Sequence, residues 1–148
     1  MKSEPGECSI DDLVREGSVP WVGVRNYQSR NYMRDDMRIG DGVFFYHSSC
    51  PEPGSAGLAE VCAAAHPDAT QFDRKSPYFD AKSSPDAPRW QHVDVKLVKK
   101  TKLLPLAEMR ERPELATMRV LQRGNRLSIT PVSATEWRAV QALLAKLQ

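Results

Sequence analysis

Pro20-Trp21-Val22-Gly23-Val24-Arg25-Asn26-Tyr27-Gln28-Ser29-Arg30-Asn31 packs two aromatic rings, a glycine, two arginines and several amides into one short segment. A buried helix or strand would not gather so many hydrogen-bonding groups, because each must find a partner once it leaves water. A solvated loop has no need of Trp21 or Tyr27. A surface that holds a planar, polar ligand uses both kinds of residue.

The flanking elements follow from local signals. Upstream, Ser9 is placed to cap a helix with Asp11 and Asp12 in its first turn and Gly17 at its end. Downstream, Asn26 is placed to cap a second helix over 27–38, with Tyr27, Met33 and Met37 on its inner side. Gly40-Asp41-Gly42 is a turn. Val43 to Ser48 reads as a strand from its aromatic and β-branched content. A loop over 49–57 leads to a strand over 58–65, and 66–88 is a polar connection of a length that usually carries function. Residues 91–100 alternate, with Val93, Val95 and Leu97 inward and His92, Asp94 and Lys96 outward.

A short helix over 104–112, an apolar segment over 115–121, a turn over 122–126 and a strand over 127–132 complete the middle of the chain. Ser133-Ala134-Thr135-Glu136 forms a capping box for a last helix with Trp137, Val140, Leu144 and Leu147 on one stripe. Strands mixed with peripheral helices, without a βαβ rhythm, predict an α+β fold with a small curved sheet. At 148 residues, the expectation is one domain over 1–148.

Apolar content of 41% and charged content of 27% are ordinary for a globular protein, and no apolar run approaches membrane-spanning length. The polar, acidic start, Met1 to Glu7, has no signal-peptide pattern. Three widely spaced cysteines (Cys8, Cys50, Cys62) do not form a disulfide framework, so the expected compartment is the reducing cytoplasm. The net charge of +2 is unevenly divided. Residues 1–95 carry 10 Lys and Arg against 15 Asp and Glu, whereas residues 96–148 carry 11 against 4. Such a split allows a nucleic-acid partner, and a solvated basic face explains it as simply.

A base-binding pocket would need aromatic planes for stacking and polar groups to read base edges. Trp21, Tyr27, Tyr46, Phe72 and Trp90 offer planes, and Ser3, Asn26, Ser48, Gln71 and Ser128 offer edges. Phe44, Phe45 and Trp137 read as core. Tyr46-His47-Ser48-Ser49-Cys50 brings an imidazole, hydroxyls and a thiol together, yet no Gly-x-Ser-x-Gly elbow, P-loop or Gly-x-Gly-x-x-Gly occurs. Cys50, Cys62, His66 and His92 lack the close paired spacing of structural zinc sites, so no metal site is expected.

Several blocks together resemble the EVE domain family. They are Lys2-Ser3-Glu4-Pro5, Trp21 to Gln28, Gly40-Asp41, Phe45 to Ser48, Pro67-Asp68 with Gln71-Phe72-Asp73, Pro88-Arg89-Trp90 with Val93-Asp94-Val95, and Arg123 to Ser128 through Pro131-Val132. The resemblance implies a PUA-like fold, a small β-barrel or strongly bent mixed sheet with peripheral helices, related to PUA, ASCH and YTH domains. It also implies a reader of modified bases, chiefly modified cytosine in DNA, with modified RNA as a substrate for some prokaryotic members. By this resemblance Lys2, Ser3, Glu4, Trp21, Val24, Arg25, Asn26, Tyr46, His47, Ser48, Arg89, Trp90, Leu127, Ser128 and Pro131 line one pocket. Met1 stands directly before Lys2, where the family usually carries a short apolar strand. An open sheet edge is therefore expected there.

The resulting expectation is a non-catalytic module that binds DNA or RNA carrying a modified base, as a monomer, with no membrane partner and no cofactor. Trp21 and Trp90 would be the stacking walls; Ser3, Asn26 and Ser48 would read edges, with His47 contacting the base. Arg25, Lys99, Lys100, Lys102, Arg123 and Arg126 would hold phosphates, although the 123–126 turn reads equally as a structural hairpin with solvated arginines. The alternative is a small enzyme acting on a modified base or metabolite through His47 and Cys50.

Overall fold

The computed structural model describes residues 1–148. Its strands are β1 (Lys2–Ser3), β2 (Ser18–Pro20), β3 (Gly42–His47), β4 (Gly54–Pro67) and β5 (Gln91–Pro105). They form one sheet in the order β1-β3-β4-β5-β2, with β1 parallel to β3 and the other pairs antiparallel. The helices are α1 (Ile10–Glu16), α2 (Tyr27–Asn31), α3 (Leu106–Arg110) and α4 (Ala134–Lys146).

β3 sets the architecture. Four successive apolar residues, Val43 to Tyr46, point alternately to opposite faces, so both faces must be covered. Val43 and Phe45 enter a core with Ile10, Leu13, Trp21, Met33, Val61, Val93 and Val95. Phe44 and Tyr46 enter a second core with Leu104, Met109, Leu115, Val140 and Leu144. α1, the Trp21–Val24 segment and the π turn after α2 cover the first face; α3, α4 and the two 3₁₀ turns over 113–121 cover the second.

Local signals placed α1 and α4 as expected. Ser9 and Asp12 form a reciprocal capping box, as do Ser133 and Glu136, and Gly17 ends α1 at φ +79°. Asn26 caps α2 by accepting the Ser29 N–H, but after one turn the helix widens into a π turn over Tyr32–Asp36. Tyr27 is exposed rather than inward.

Three expectations are corrected. β4 begins at Gly54, so 54–57 is strand, not loop. The glycines there serve close strand approach: a Cβ on Gly54 would lie 2.2 Å from the Leu104 carbonyl oxygen, and one on Gly57 2.7 Å from that of Lys99. β5 runs five residues past the expected end, through Pro105. Residues 127–132 are not a strand; they meet the sheet edge through one ladder-like bond, Lys2 N–H to the Ser128 carbonyl at 2.7 Å. Over Gly42–Phe45, β3 has β4 as its only named strand partner. No helix is long and apolar enough to cross a membrane.

Candidate nucleic-acid interface

Parallel pairing of β1 with β3 brings the start of the chain beside Ser48, whose N–H donates to the Ser3 carbonyl at 3.0 Å. Pairing of β2 with β5 fixes Trp21, whose N–H donates to the Val93 carbonyl at 2.9 Å. Between these two sheet edges lies a cleft of about 870 Å³. Lys2, Ser3, Glu4, Trp21, Val24, Arg25, Asn26, Ser48, Arg126 and Ser128 all line it, although they come from four separate parts of the chain. Its volume falls within the range of small-molecule sites.

Behind the cleft's lining lies a hydrogen-bonded clamp built on Asp68, which is fully buried. Its carboxylate accepts from the Gly23 N–H at 2.9 Å, the Thr70 N–H at 2.8 Å, the Thr70 hydroxyl and an Arg25 N–H at 3.1 Å. Burial by itself would raise the Asp68 carboxyl; these donors outweigh it and hold the group below the usual carboxylate range. Arg25 also donates to the Val24 and Tyr78 carbonyls and to the Thr70 hydroxyl, so each of its five N–H groups is committed. Its expected role as a phosphate holder is therefore corrected, because no donor is left. Arg25 braces the 20–26 segment against the 68–90 connection.

Tyr78 is the wall that sequence reading missed. Its ring packs over Gly23, where an added Cβ would lie 2.7 Å from it, and Gly23 sits at φ +85°. Its hydroxyl donates to Glu7 Oε2 at 3.3 Å. Glu7, Cys8, Ser49 and Asn125 also line the cleft without having been singled out. Trp21 contributes little open surface: it is 7% exposed and meets Phe45 edge-on at 5.5 Å. Burial lowers the Lys2 amine, whose Nζ lies 3.4 Å from the Asn125 carbonyl oxygen.

The family of this chain follows from its match to the model of the EVE domain over residues 1–143. The chain belongs to the EVE domain family. It is 40% identical to human thymocyte nuclear protein 1 over 99% of its own length and 73% of that protein's. Among solved structures, a protein from Pseudomonas putida superposes with a TM-score of 0.93 at 46% identity, covering 97% of this chain and 96% of that one. Human THYN1 protein in complex with 5-methylcytosine-containing DNA superposes with a TM-score of 0.91 at 40% identity, covering 97% and 94%. The architecture is the PUA-like α+β fold that the resemblance implied.

Other expected site residues of this EVE domain lie elsewhere. Trp90 is buried behind the clamp, stacked on Tyr27 at 4.6 Å, with the Arg25 guanidinium 5.3 Å from its ring and its Nε1–H donating to Asp80 at 2.8 Å. Those contacts correct its expected role as a stacking wall. Gln71, also fully buried, receives the Trp90 N–H at 3.0 Å and donates to the Trp90 carbonyl at 2.8 Å. Arg89 stands 4.0 Å from Asp80, outside the cleft. Tyr46 and Pro131 line a different, more apolar cleft beside Trp137. Leu127 lines neither.

His47 is turned to a structural task, since its Nε2 accepts the Ile10 N–H at 3.0 Å at the start of α1. That lone pair is the one a general base at this atom would need. Burial lowers the His47 imidazole, in keeping with a neutral acceptor, and the Asp11 charge opposes the shift only in part. Of the expected phosphate contacts other than Arg25, Arg126 lines the cleft; Lys99, Lys100, Lys102 and Arg123 do not, and Lys100 pairs with Asp11.

Proposed function

We propose that this EVE domain is a non-catalytic reader that takes a modified nucleobase, 5-methylcytosine in DNA in the first instance, into the cleft between Lys2–Glu4, Pro20–Asn26, Ser48 and Tyr78. The observation that carries this reading is the convergence of polar edges, carboxylates and a tyrosine ring on one cleft with room for a base. The human relative crystallised with methylated DNA supports it. An extruded cytosine presents an exocyclic amino donor, and Glu4 and Glu7 are acceptors of the right kind for it. The Tyr78 ring supplies a stacking face, and stacking of about 1–3 kcal/mol per base offsets much of the cost of flipping. Lys2 and Arg126 at the rim would meet phosphates.

The test is a fluorescence-anisotropy titration of duplexes carrying one 5-methylcytosine or one cytosine, with matched RNA strands, at about 50 and 200 mM salt. A preference for the methylated duplex of about tenfold or more is expected, the range one methyl group commands in a fitted pocket. Tyr78→Ala and Glu4→Gln should each weaken binding of the methylated duplex by about tenfold or more. Binding that ignores the methyl group and survives both substitutions would reduce the cleft to a bystander of a basic surface.

A further inference from the structure

Outside the cleft lining, strand register assembles a group that sequence spacing does not announce. His66 at the end of β4 stands directly opposite His92 near the start of β5. Their rings are 4.0 Å apart, and Asp94 shares His92's side of β5. One ligand atom from each of the three side chains lies within 4.8 Å of the others.

The electronic state of each group suits a cation. His66 Nδ1 lies 2.8 Å from the Ala64 carbonyl oxygen, which only accepts, so this nitrogen carries the proton and Nε2 keeps a lone pair. Asp94 Oδ1 is buried and makes no hydrogen bond, although it stands 3.1 Å from His92 Nδ1. His92 Nδ1 lies 3.2 Å from the Val93 carbonyl oxygen, so by the same rule it carries the proton and Nε2 is the nitrogen left to bind. A buried carboxylate oxygen without a partner is costly, and a shared cation would satisfy it.

We propose that His66, His92 and Asp94 bind one late first-row divalent cation, with zinc as the type case. The N/N/O donor set with an open position suits Zn²⁺, Co²⁺ or Ni²⁺ better than the all-oxygen preference of Mg²⁺ or Ca²⁺. Bound there, the ion ties β4 to β5 at the root of the 68–90 connection, two residues before Asp68. The site is independent of the base-reading assignment.

The test is calorimetric titration of the full chain with ZnCl₂, paralleled by visible absorption on adding CoCl₂. One ion per chain is expected, with a rise in melting temperature. His66→Gln changes an exposed side chain and leaves the folded chain intact for comparison. It and Asp94→Asn should each weaken binding at least tenfold, while DNA titrations of His66→Gln stay as in the parent. The absence of saturable zinc binding, or binding that persists unchanged in both variants, would overturn the proposal.

Discussion

Arg25 Nη1 lies 3.1 Å from Oδ2 of Asp68, a carboxylate with no exposed surface, and this ion pair joins the cleft's lining to the connection behind it. A buried charge that loses its partner is far more costly than an exposed one. Asp68→Ala should therefore destabilise the fold by about 3–5 kcal/mol in urea unfolding. Because the donors hold this carboxyl below its usual range, its contribution is fully present above about pH 4 and is lost as the pH falls through its folded value. Asp68→Asn should shrink that acid limb; an unchanged limb would place the acid sensitivity elsewhere.

Gly23 and Tyr78 make a second, separable test. Any side chain at position 23 meets the Tyr78 ring and must also adopt φ +85°. Gly23→Ala should cost about 1–3 kcal/mol of stability. It should also weaken DNA binding by more than Asp12→Asn, a change on α1 outside the cleft. Equal binding in the two variants would argue that the Tyr78 wall is not used.

The His47 imidazole makes stability pH-dependent in a definite direction. It is held neutral in the fold, accepting the Ile10 N–H, with its pKa lowered by burial, whereas in the unfolded chain it titrates near 6.5. As the pH falls below about 6.5, the unfolded state takes up a proton that the fold resists, so stability is lost on acidification toward the folded value and is fully retained above. His47→Gln, whose amide oxygen can accept the same N–H, should give a flatter melting-temperature profile between about pH 7.5 and 5. A parallel profile would remove His47 from the account.

Arg126 and Lys99 carry equal charge but differ in place, since only Arg126 lines the cleft. Arg126→Ala should reduce the salt dependence of DNA binding by about 0.9 in the log–log slope, the equivalent of one phosphate contact, and Lys99→Ala should leave it unchanged. The opposite pattern would move the nucleic-acid track onto β5.

The caps of α1 and α4, the strand β3 and the alternation of Val93 and Val95 in β5 were legible along the chain because each depends on residues within a turn or a pleat of one another. The blocks Lys2 to Pro5, Trp21 to Gln28 and Phe45 to Ser48 likewise marked the family. Tertiary structure alone decided which polar groups were free. Arg25 reads as a phosphate ligand until Asp68, Thr70 and Tyr78 arrive from 43 or more residues away and take all its donors. Trp90 reads as a stacking wall until Tyr27 and Arg25 cover it. Tyr78, in a connection without periodicity, and His66 opposite His92 had no local signal, because pairing across long loops sets their neighbours. Residue type fixes what a side chain can bond; the register of distant strands determines what it finds there.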